Sequence, residues 1–508
     1  MTYSAAGYLQ ARQRAGWAAA ENSAFTVVRP PSPSERASPA ASRVDWLDLA
    51  LITVFLAGLY TNFTIMVAPK VPFPSVPSGV AGLILLWRRR DAITPRALAG
   101  LLVILLMVLV SALCASNFAY LQRRTNGLVQ LTYSMVIGYA LFLTVTRASR
   151  RQMAALFLVF ALVIATGCLL ETHAGLRPIS DAARKVLYSR GVYENDLRDM
   201  LLYARVRPKF FASEPSSVTF CYALFSFLWL VLSQWRWKLL AYLGLVALGL
   251  SAMPGPTLLL MLPLILPYLL FLETRRRGRL DMGRFIVGLM GAVVLLCASV
   301  VLAQTLFQHR LEAVVSGNDP SFFYRVQGPA MAGLDIMKRY PLAGAGISGE
   351  PFIEQEVTTL YVRSRYYSAG WQIVSPATEL LINYFWLHWI YFGFVLGVAI
   401  LAAITVWLRV LGVPSVTFCW TVWTILGQAS GAYVGPTCWA VLFLSAAAAI
   451  LHQRSARQAE AAVATGRSRW LRSQRYPRWI RVSPGQRLRW MKSRIRYRPR
   501  GIAIPFVQ

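Results

Sequence analysis

Two side chains, Glu214 and Arg325, carry the chemical options of this sequence, Glu214 at the mouth of an apolar stretch and Arg325 within a long connection between two of them. Glu214 falls in Phe-Phe-Ala-Ser-Glu-Pro-Ser-Ser, with Pro215 next. A carboxylate held at a membrane–water boundary accepts a proton from a substrate hydroxyl. An acid before a proline at a first helical position also serves as a helix cap, favoured by the helix dipole. Arg325 follows Asp319-Pro320, which reads as a helix N-cap and first turn. Phe323, Val326, Ala330, Leu334 and Met337 then recur at spacings of three and four, predicting an apolar stripe along a helix on the membrane or the bundle. Arg325, Gly328, Asp335 and Arg339 fall on its other side. There the guanidinium fork of Arg325 matches phosphate oxygens, or pairs with Asp335 or a neighbouring acid. Pro341 ends the helix, and Gly344, Gly346 and Gly349 permit a tight turn. No Lys-Ser/Thr follows, so the turn is not a P-loop.

The stretch before Glu214 adds Arg177, Arg184, Lys185, Arg190, Arg198, Arg205, Arg207 and Lys209 against five acids. An anionic lipid-linked ligand is one use for them, and surface ion pairs are the other. Asn383 lies near the start of a long apolar stretch and His388 within it; a lone buried His is more often structural than catalytic. His173 and His309 sit at loop edges without a motif. The outer loops hold no paired aspartates of metal-binding type, so the expected chemistry uses no metal and no cofactor. Six cysteines, including Cys114 and Cys297, lie inside or beside apolar runs with no CxxC spacing, and read as small packing residues.

These residues must be positioned by helices in lipid. The chain is 508 residues long, 56% hydrophobic and only 14% charged, and its mean hydropathy is +0.49. Apolar runs such as 97–115 and 285–306 are long enough to span a bilayer, where backbone groups must be satisfied within helices. Continuous rather than alternating apolarity excludes a barrel. Twelve stretches read as spans: 47–67, 72–87, 97–115, 128–146, 153–170, 215–233, 238–252, 257–272, 285–306, 378–408, 415–430 and 434–452. The fold expected is all-α, a polytopic membrane bundle with two long outer loops at about 171–213 and 307–377. Basic connections at Arg88–Arg90, Arg147–Arg151, Arg236–Lys238, Arg275–Arg284 and Arg409 place both termini inside. One outer pair, Arg123 and Arg124, breaks the rule.

The net charge of +31 does not mark a nucleic-acid binder, because 15 Lys/Arg and one acid fall in residues 453–508. That tail interleaves Arg with Trp470, Tyr476, Trp479, Trp490 and Tyr497, which suits an anionic lipid surface. The Ser/Ala/Pro-rich residues 1–45 carry no signal-peptide pattern and read as a disordered cytoplasmic tail. The transmembrane domain is therefore 46–452.

Three stretches resemble the O-antigen polymerase and ligase superfamily, including Wzy-type exopolysaccharide polymerases. One is Arg205-Val-Arg207 followed by the Glu214-Pro215-Ser216 element. The second is Tyr324-Arg325 leading to Tyr-Pro-Leu-Ala-Gly-Ala-Gly-Ile-Ser, and the third begins at Asn383. The resemblance covers roughly residues 45–450 and implies a GT-C-like glycosyltransferase at the periplasmic face of a bacterial inner membrane. Its substrates would be glycan repeat units on undecaprenyl diphosphate, with a chain-length regulator and an exporter as candidate partners. Glu214 would be the acid/base or acceptor-positioning group, and Arg325 with Arg205 or Arg207 would stabilise the departing diphosphate. Arg339 and Asn383 complete the implied binding set. Ligases of this superfamily place a His before the Asn; here Ile382 stands there, which favours polymerase over ligase. A flippase would instead predict charged residues within the spans, which are poor in them.

Overall fold

A computed structural model describes residues 44–475, except 69–70, 114–119, 189–192, 195, 204, 274, 277–278, 281, 307, 309–311, 313–315, 317–321, 365–375 and 430. Asp319, Arg190, His309, Cys114 and the tails 1–43 and 476–508 lie outside that set. The helices are α1 Trp46–Thr61, α2 Val76–Arg88, α3 Pro95–Leu113, α4 Leu121–Val145, α5 Arg150–His173, α6 Arg177–Leu187, α7 Asp196–Tyr203, α8 Pro215–Leu232 and α9 Lys238–Ala252. They continue as α10 Pro256–Glu273, α11 Met282–Leu306, α12 Gly328–Arg339, α13 Glu354–Val362, α14 Ala377–Leu380, α15 Tyr384–Val410, α16 Val416–Gly427 and α17 Pro436–Arg475. Among the described residues, seven helices (α3, α4, α5, α8, α10, α15 and the first part of α17) are long and apolar enough to cross a membrane. Four shorter apolar helices, α1, α2, α9 and α16, accompany them.

Two departures from the twelve predicted stretches follow prolines, and a third extends the last helix. After α1 the chain forms a small antiparallel hairpin, β1 Ile65–Ala68 with β2 Val71–Phe73, where Pro72 and Pro74 disfavour helix. α10 passes from 3₁₀ through one α turn to a π turn around Pro263 and Pro267. The last helix runs on past the apolar region to Arg475, so the first part of the basic tail is helical.

α8 is the central helix. Its apolar window is 89% buried, against 33% for α3 at the periphery. α5 and α17 pack along it, α4 packs along α17, and α15 packs along α3. The end of α8 remote from Glu214 is held by Arg150, which donates to the carbonyls of Val231, Leu232 and Ser233 at 3.1, 2.8 and 3.2 Å. Cations suit a helix C-terminus. Arg88 and Arg89 pairing with Asp48 and Lys238 pairing with Glu273 likewise keep cations near helix ends. The 18 residues of α8, a rise of about 27 Å, run from Glu214 at one end to Arg150's partners at the other.

The glycine turn after α12 has a definite purpose. Gly393 in α15 has φ 65° and ψ −167°, which breaks that helix into Tyr384–Phe392 and Phe394–Val410. The freed backbone groups are satisfied by the loop. Ala345 and Gly346 donate to the carbonyls of Ile390 and Tyr391 at 2.8 and 3.0 Å, while Val395 and Leu396 donate to Pro341 and Leu342 at 2.9 and 3.1 Å. Irregular backbone is tolerated at membrane depth where protein satisfies it in this way. A Cβ on Gly344 would lie 2.5 Å from the Gly393 nitrogen, so the approach needs glycine. The exceptional Arg123 and Arg124 serve this same loop. Arg124 is buried and donates to Ala345 O at 3.2 Å, and Arg123 lies 3.6 Å from Glu350.

Of the predicted stripe, Phe323 is buried against Tyr361, but within α12 itself the stripe is not the packed face. Gly328, Pro329, Ala332, Gly333 and Ile336 are buried, and Leu334 is exposed. α12 packs on α15, with Gly333 against the Trp386 ring, and small residues let two helices approach. Residue size, rather than apolarity, marks the packed side.

Candidate active site

Glu214 follows a loop whose backbone is held in an uncommon conformation. Phe210 and Phe211 have φ of 36° and 63°, and such positions persist only where surrounding structure fixes them. The Glu171 carboxylate accepts from Lys209 N and Phe210 N at 3.0 and 2.5 Å. Tyr60 Oη donates to Phe210 O at 2.6 Å, and Ser180 Oγ accepts from Phe211 N at 3.1 Å. Tyr188 Oη lies between the Phe211 and Thr61 carbonyls at 2.9 and 2.5 Å. Burial pushes this phenol up to about 12, against a smaller opposing effect of Arg184, so it remains a donor. Arg184, 2% exposed, donates from Nε to Ala212 O at 2.8 Å and from Nη2 to Ser213 O at 3.0 Å. Every residue from Lys209 to Ser213 is thus tied down through its backbone.

Glu214 itself occupies the N-cap position of α8, with extended backbone and Pro215 after it. Its side chain makes no capping hydrogen bond. It turns toward Arg325, whose Nη2 lies 3.8 Å from Glu214 Oε2. The two side chains are 43% and 22% exposed. A pair this accessible contributes at most about 1 kcal/mol to stability, so stability does not account for its placement.

Arg325 lies in the middle of a π turn, Phe323–Gln327, that leads into α12. π turns inside helices are frequent at functional sites. Its backbone is fixed by Asn383, whose Nδ2 donates to Arg325 O at 2.7 Å and to Gln428 Oε1 at 2.9 Å. Asn383 Oδ1 accepts from Phe385 N and Trp386 N at 3.1 and 3.2 Å, capping α15. Ile382 N donates to Tyr324 O at 3.3 Å.

Of the other expected binding residues, Asn383, Arg205 and Arg207 face protein, and Arg339 is exposed. Asn383 is fully buried, so it positions Arg325 rather than meeting a substrate. Arg205 donates to Ser251 O at 2.8 Å at the end of α9, and burial lowers its pKa. Arg207 binds the buried Asp199 carboxylate from Nε at 2.8 Å, reaches Tyr193 Oη at 3.2 Å, and lies 4.7 Å from the Tyr203 ring centre. Arg205 ties the segment before Glu214 to α9, whereas Arg207 cross-links that segment from within. Arg339 pairs with Asp335 at 2.7 Å, one turn away on the same helix, on an exposed surface. His388 is buried, with Nδ1 3.0 Å from Tyr433 Oη and Nε2 3.1 Å from Gly397 O, the structural role expected of it.

Of the six residues singled out, the fold brings Glu214 and Arg325 together and places Asn383 directly behind Arg325. Sequence reasoning missed Glu171, Ser180, Tyr60, Tyr188 and Gln428, and grouped Arg184 with cations that either meet an anionic ligand or form surface ion pairs, whereas it is buried against the backbone of Ala212 and Ser213. Tyr60 and its partner are 150 residues apart, and no local periodicity signals such a contact. The one available clue was Glu171, an acid at the very end of an apolar stretch.

The pair has defined chemical capacities. A carboxylate 3.8 Å from a guanidinium, at a helix N-terminus, sets a proton acceptor beside an anion binder. The helix dipole adds stabilisation to negative charge developing there. Comparison with protein-family models, curated proteins and solved structures finds no match. The functional reading therefore rests on this geometry and on the sequence motifs.

Proposed function

We propose that this protein is a membrane glycosyltransferase that polymerises oligosaccharide repeat units carried on undecaprenyl diphosphate. The observation that carries the reading is the meeting of Glu214 and Arg325, from two separate loops, at 3.8 Å. The short motifs around these residues resemble those of Wzy-type polymerases, in the same order along the chain. In this reading the seven long helices, the four shorter ones and α11 all cross the bilayer. Both termini are then cytoplasmic, and Glu214 opens to the periplasmic side of a bacterial inner membrane.

Glu214 accepts the proton of an acceptor-sugar hydroxyl as that oxygen bonds to the donor's anomeric carbon. The bond from that carbon to the diphosphate oxygen breaks, and its electron pair leaves with the diphosphate. Arg325 stabilises the charge that develops there, by the bidentate geometry that suits guanidinium to phosphate. Its contact with Glu214 gives way when diphosphate enters, freeing the carboxylate as base. Asn383 keeps Arg325 in register through its carbonyl.

Reconstitution into vesicles with lipid-linked repeat units is the decisive experiment. A ladder of lengthening products, formed without added metal, is the expected result. Repeats that change leaflet without lengthening would make the protein a flippase. A single transfer onto a lipid A-type acceptor would make it a ligase.

A further inference from the structure

α6, in the first outer loop, is built inside out. Its buried residues are Ser180 and Arg184, both engaged with the loop that leads to Glu214. Its outward side carries Ile179 at 62% exposure and Val186 at 86%, with Pro178 and Ala182 also exposed and Lys185 beside them. A helix facing water would reverse this arrangement, since amphipathic helices bury their apolar stripe. Something apolar must cover it.

The chain itself points to what that is. α5, long and apolar enough to cross a membrane, ends at His173, and α6 begins three residues on, after Ala174–Leu176. Val159, Leu162, Val163 and Leu170 form an exposed apolar stripe on α5 that ends near that turn. On a membrane helix such a stripe faces lipid. The start of α6 is therefore at the lipid boundary, and the next helix, α7, also leaves Leu197 and Met200 exposed. Lys185 at the margin suits headgroup phosphates, with its stem lying along the apolar surface.

We propose that α6 lies in the membrane interface, its Ile179–Ala182–Val186 face among the upper acyl chains, and that it sets the height of Glu214 above the bilayer. The second half follows from the opposite face, where Arg184 grips Ala212 and Ser213 just before Glu214. Interfacial helices of this kind are held by buried apolar area plus attraction to anionic lipid. A ligand whose reactive diphosphate sits at headgroup level needs the catalytic group at a fixed depth. That consequence rests on the proposed polymerase reading, whereas the immersion of α6 does not.

The test places a fluorophore on Val186→Cys, with Cys114 and Cys297 replaced by Ser, in vesicles of mixed phosphatidylglycerol and phosphatidylcholine. Val186 is so exposed that a label leaves packing undisturbed. The expected result is blue-shifted emission, quenched by lipids with a nitroxide in the upper acyl chain and insensitive to aqueous iodide. Quenching by iodide alone would put the face in water and overturn the proposal. Protection from both quenchers would mean that a second copy or another protein covers it, which overturns it equally. For the height claim, Ile179→Asp with Val186→Asp should lower polymer formation about tenfold, while the double Leu variant retains it. Unchanged activity in the Asp variant would refute that claim. If the label is lipid-immersed but the native protein never lengthens a chain, the polymerase reading falls and the anchor stands. If the native protein polymerises while the label sits in water, only the anchor falls.

Discussion

Glu214 and Arg325 meet across 3.8 Å, yet the two are held in opposite ways. The loop before Glu214 is fixed at five consecutive residues by side chains from α1, α5 and α6 and by Tyr188. Two of those residues sit in left-handed backbone that nothing local favours. Arg325, by contrast, is fixed through its backbone carbonyl, by Asn383, in a π turn whose wider ring departs from regular helix. The long Arg side chain reaches out from that point. On the proposed polymerase reading, the contrast separates two tasks: a proton acceptor that must not move, and a cation that exchanges a carboxylate for an incoming phosphate.

The most damaging change to this arrangement is at the carboxylate. Glu214→Gln keeps the shape and removes the base, and should lower chain lengthening by about 10²–10⁴-fold. Thermal stability should stay within about 1 kcal/mol of the native protein, because the pair is accessible. Full activity in Glu214→Gln would end the assignment of Glu214. Arg325→Ala should lose about 10²–10³-fold, as for removal of one donor to a developing anion. Arg325→Lys should recover only part of this, since an ammonium is not a fork; complete recovery would point to simple charge instead.

One step back from the chemistry, Asn383→Ala removes the α15 cap, worth about 1 kcal/mol, and the hold on the Arg325 carbonyl. Activity should fall about tenfold with a measurable loss of thermal stability. A positioning role predicts a change in turnover with little change in apparent substrate affinity, and steady-state kinetics would separate the two. Tyr188→Phe acts on the other half of the comparison. Losing its hydrogen bonds to the loop should cost about 1 kcal/mol. These bonds need the protonated phenol. Its folded value, raised to about 12, lies above the unfolded value near 10, so the contribution is complete below pH 10 and lost as pH rises through about 12. The phenylalanine variant should therefore show a shallower alkaline decline in stability than the native protein.

How much of this was legible in the sequence depends on whether the signal is local. Seven of the twelve apolar stretches coincide with helices long and apolar enough to cross a membrane, because lipid imposes a length and composition that each segment must meet alone. Glu214 was legible as an acid beside a boundary and Arg325 as a cation on the polar side of a predicted helix, but their contact was not, since it depends on how α8 and α12 are placed. Asn383 was legible as a residue near a helix start; the structure makes it a cap and a support, a role that its buried amide reveals and its sequence position does not. The break at Gly393 was hidden inside a continuous apolar run, because the partner that makes it tolerable is the backbone of 341–346. α12 misled the periodicity reading for a related reason. In lipid, bulky apolar residues face outward as readily as inward, so Leu334 was no guide to the packed side.

Arg339 tests the comparison from its quiet side. It shares a helix with Arg325 and the same expectation of phosphate binding, yet it stands 53% exposed and is matched by Asp335 one turn earlier. An exposed pair of this spacing is worth about 0.3–0.5 kcal/mol, and Asp335 already offsets its charge toward any anion. Arg339→Ala should therefore leave chain lengthening within about twofold and stability within about 0.5 kcal/mol. A loss approaching that of Arg325→Ala would mean that the diphosphate reaches along α12, and that charge on this helix acts collectively. Near-native behaviour would instead confine the anion to the end of α12 that carries the π turn, where the helix departs from regular geometry and the guanidinium faces Glu214, whose carboxylate makes no capping bond at the head of α8.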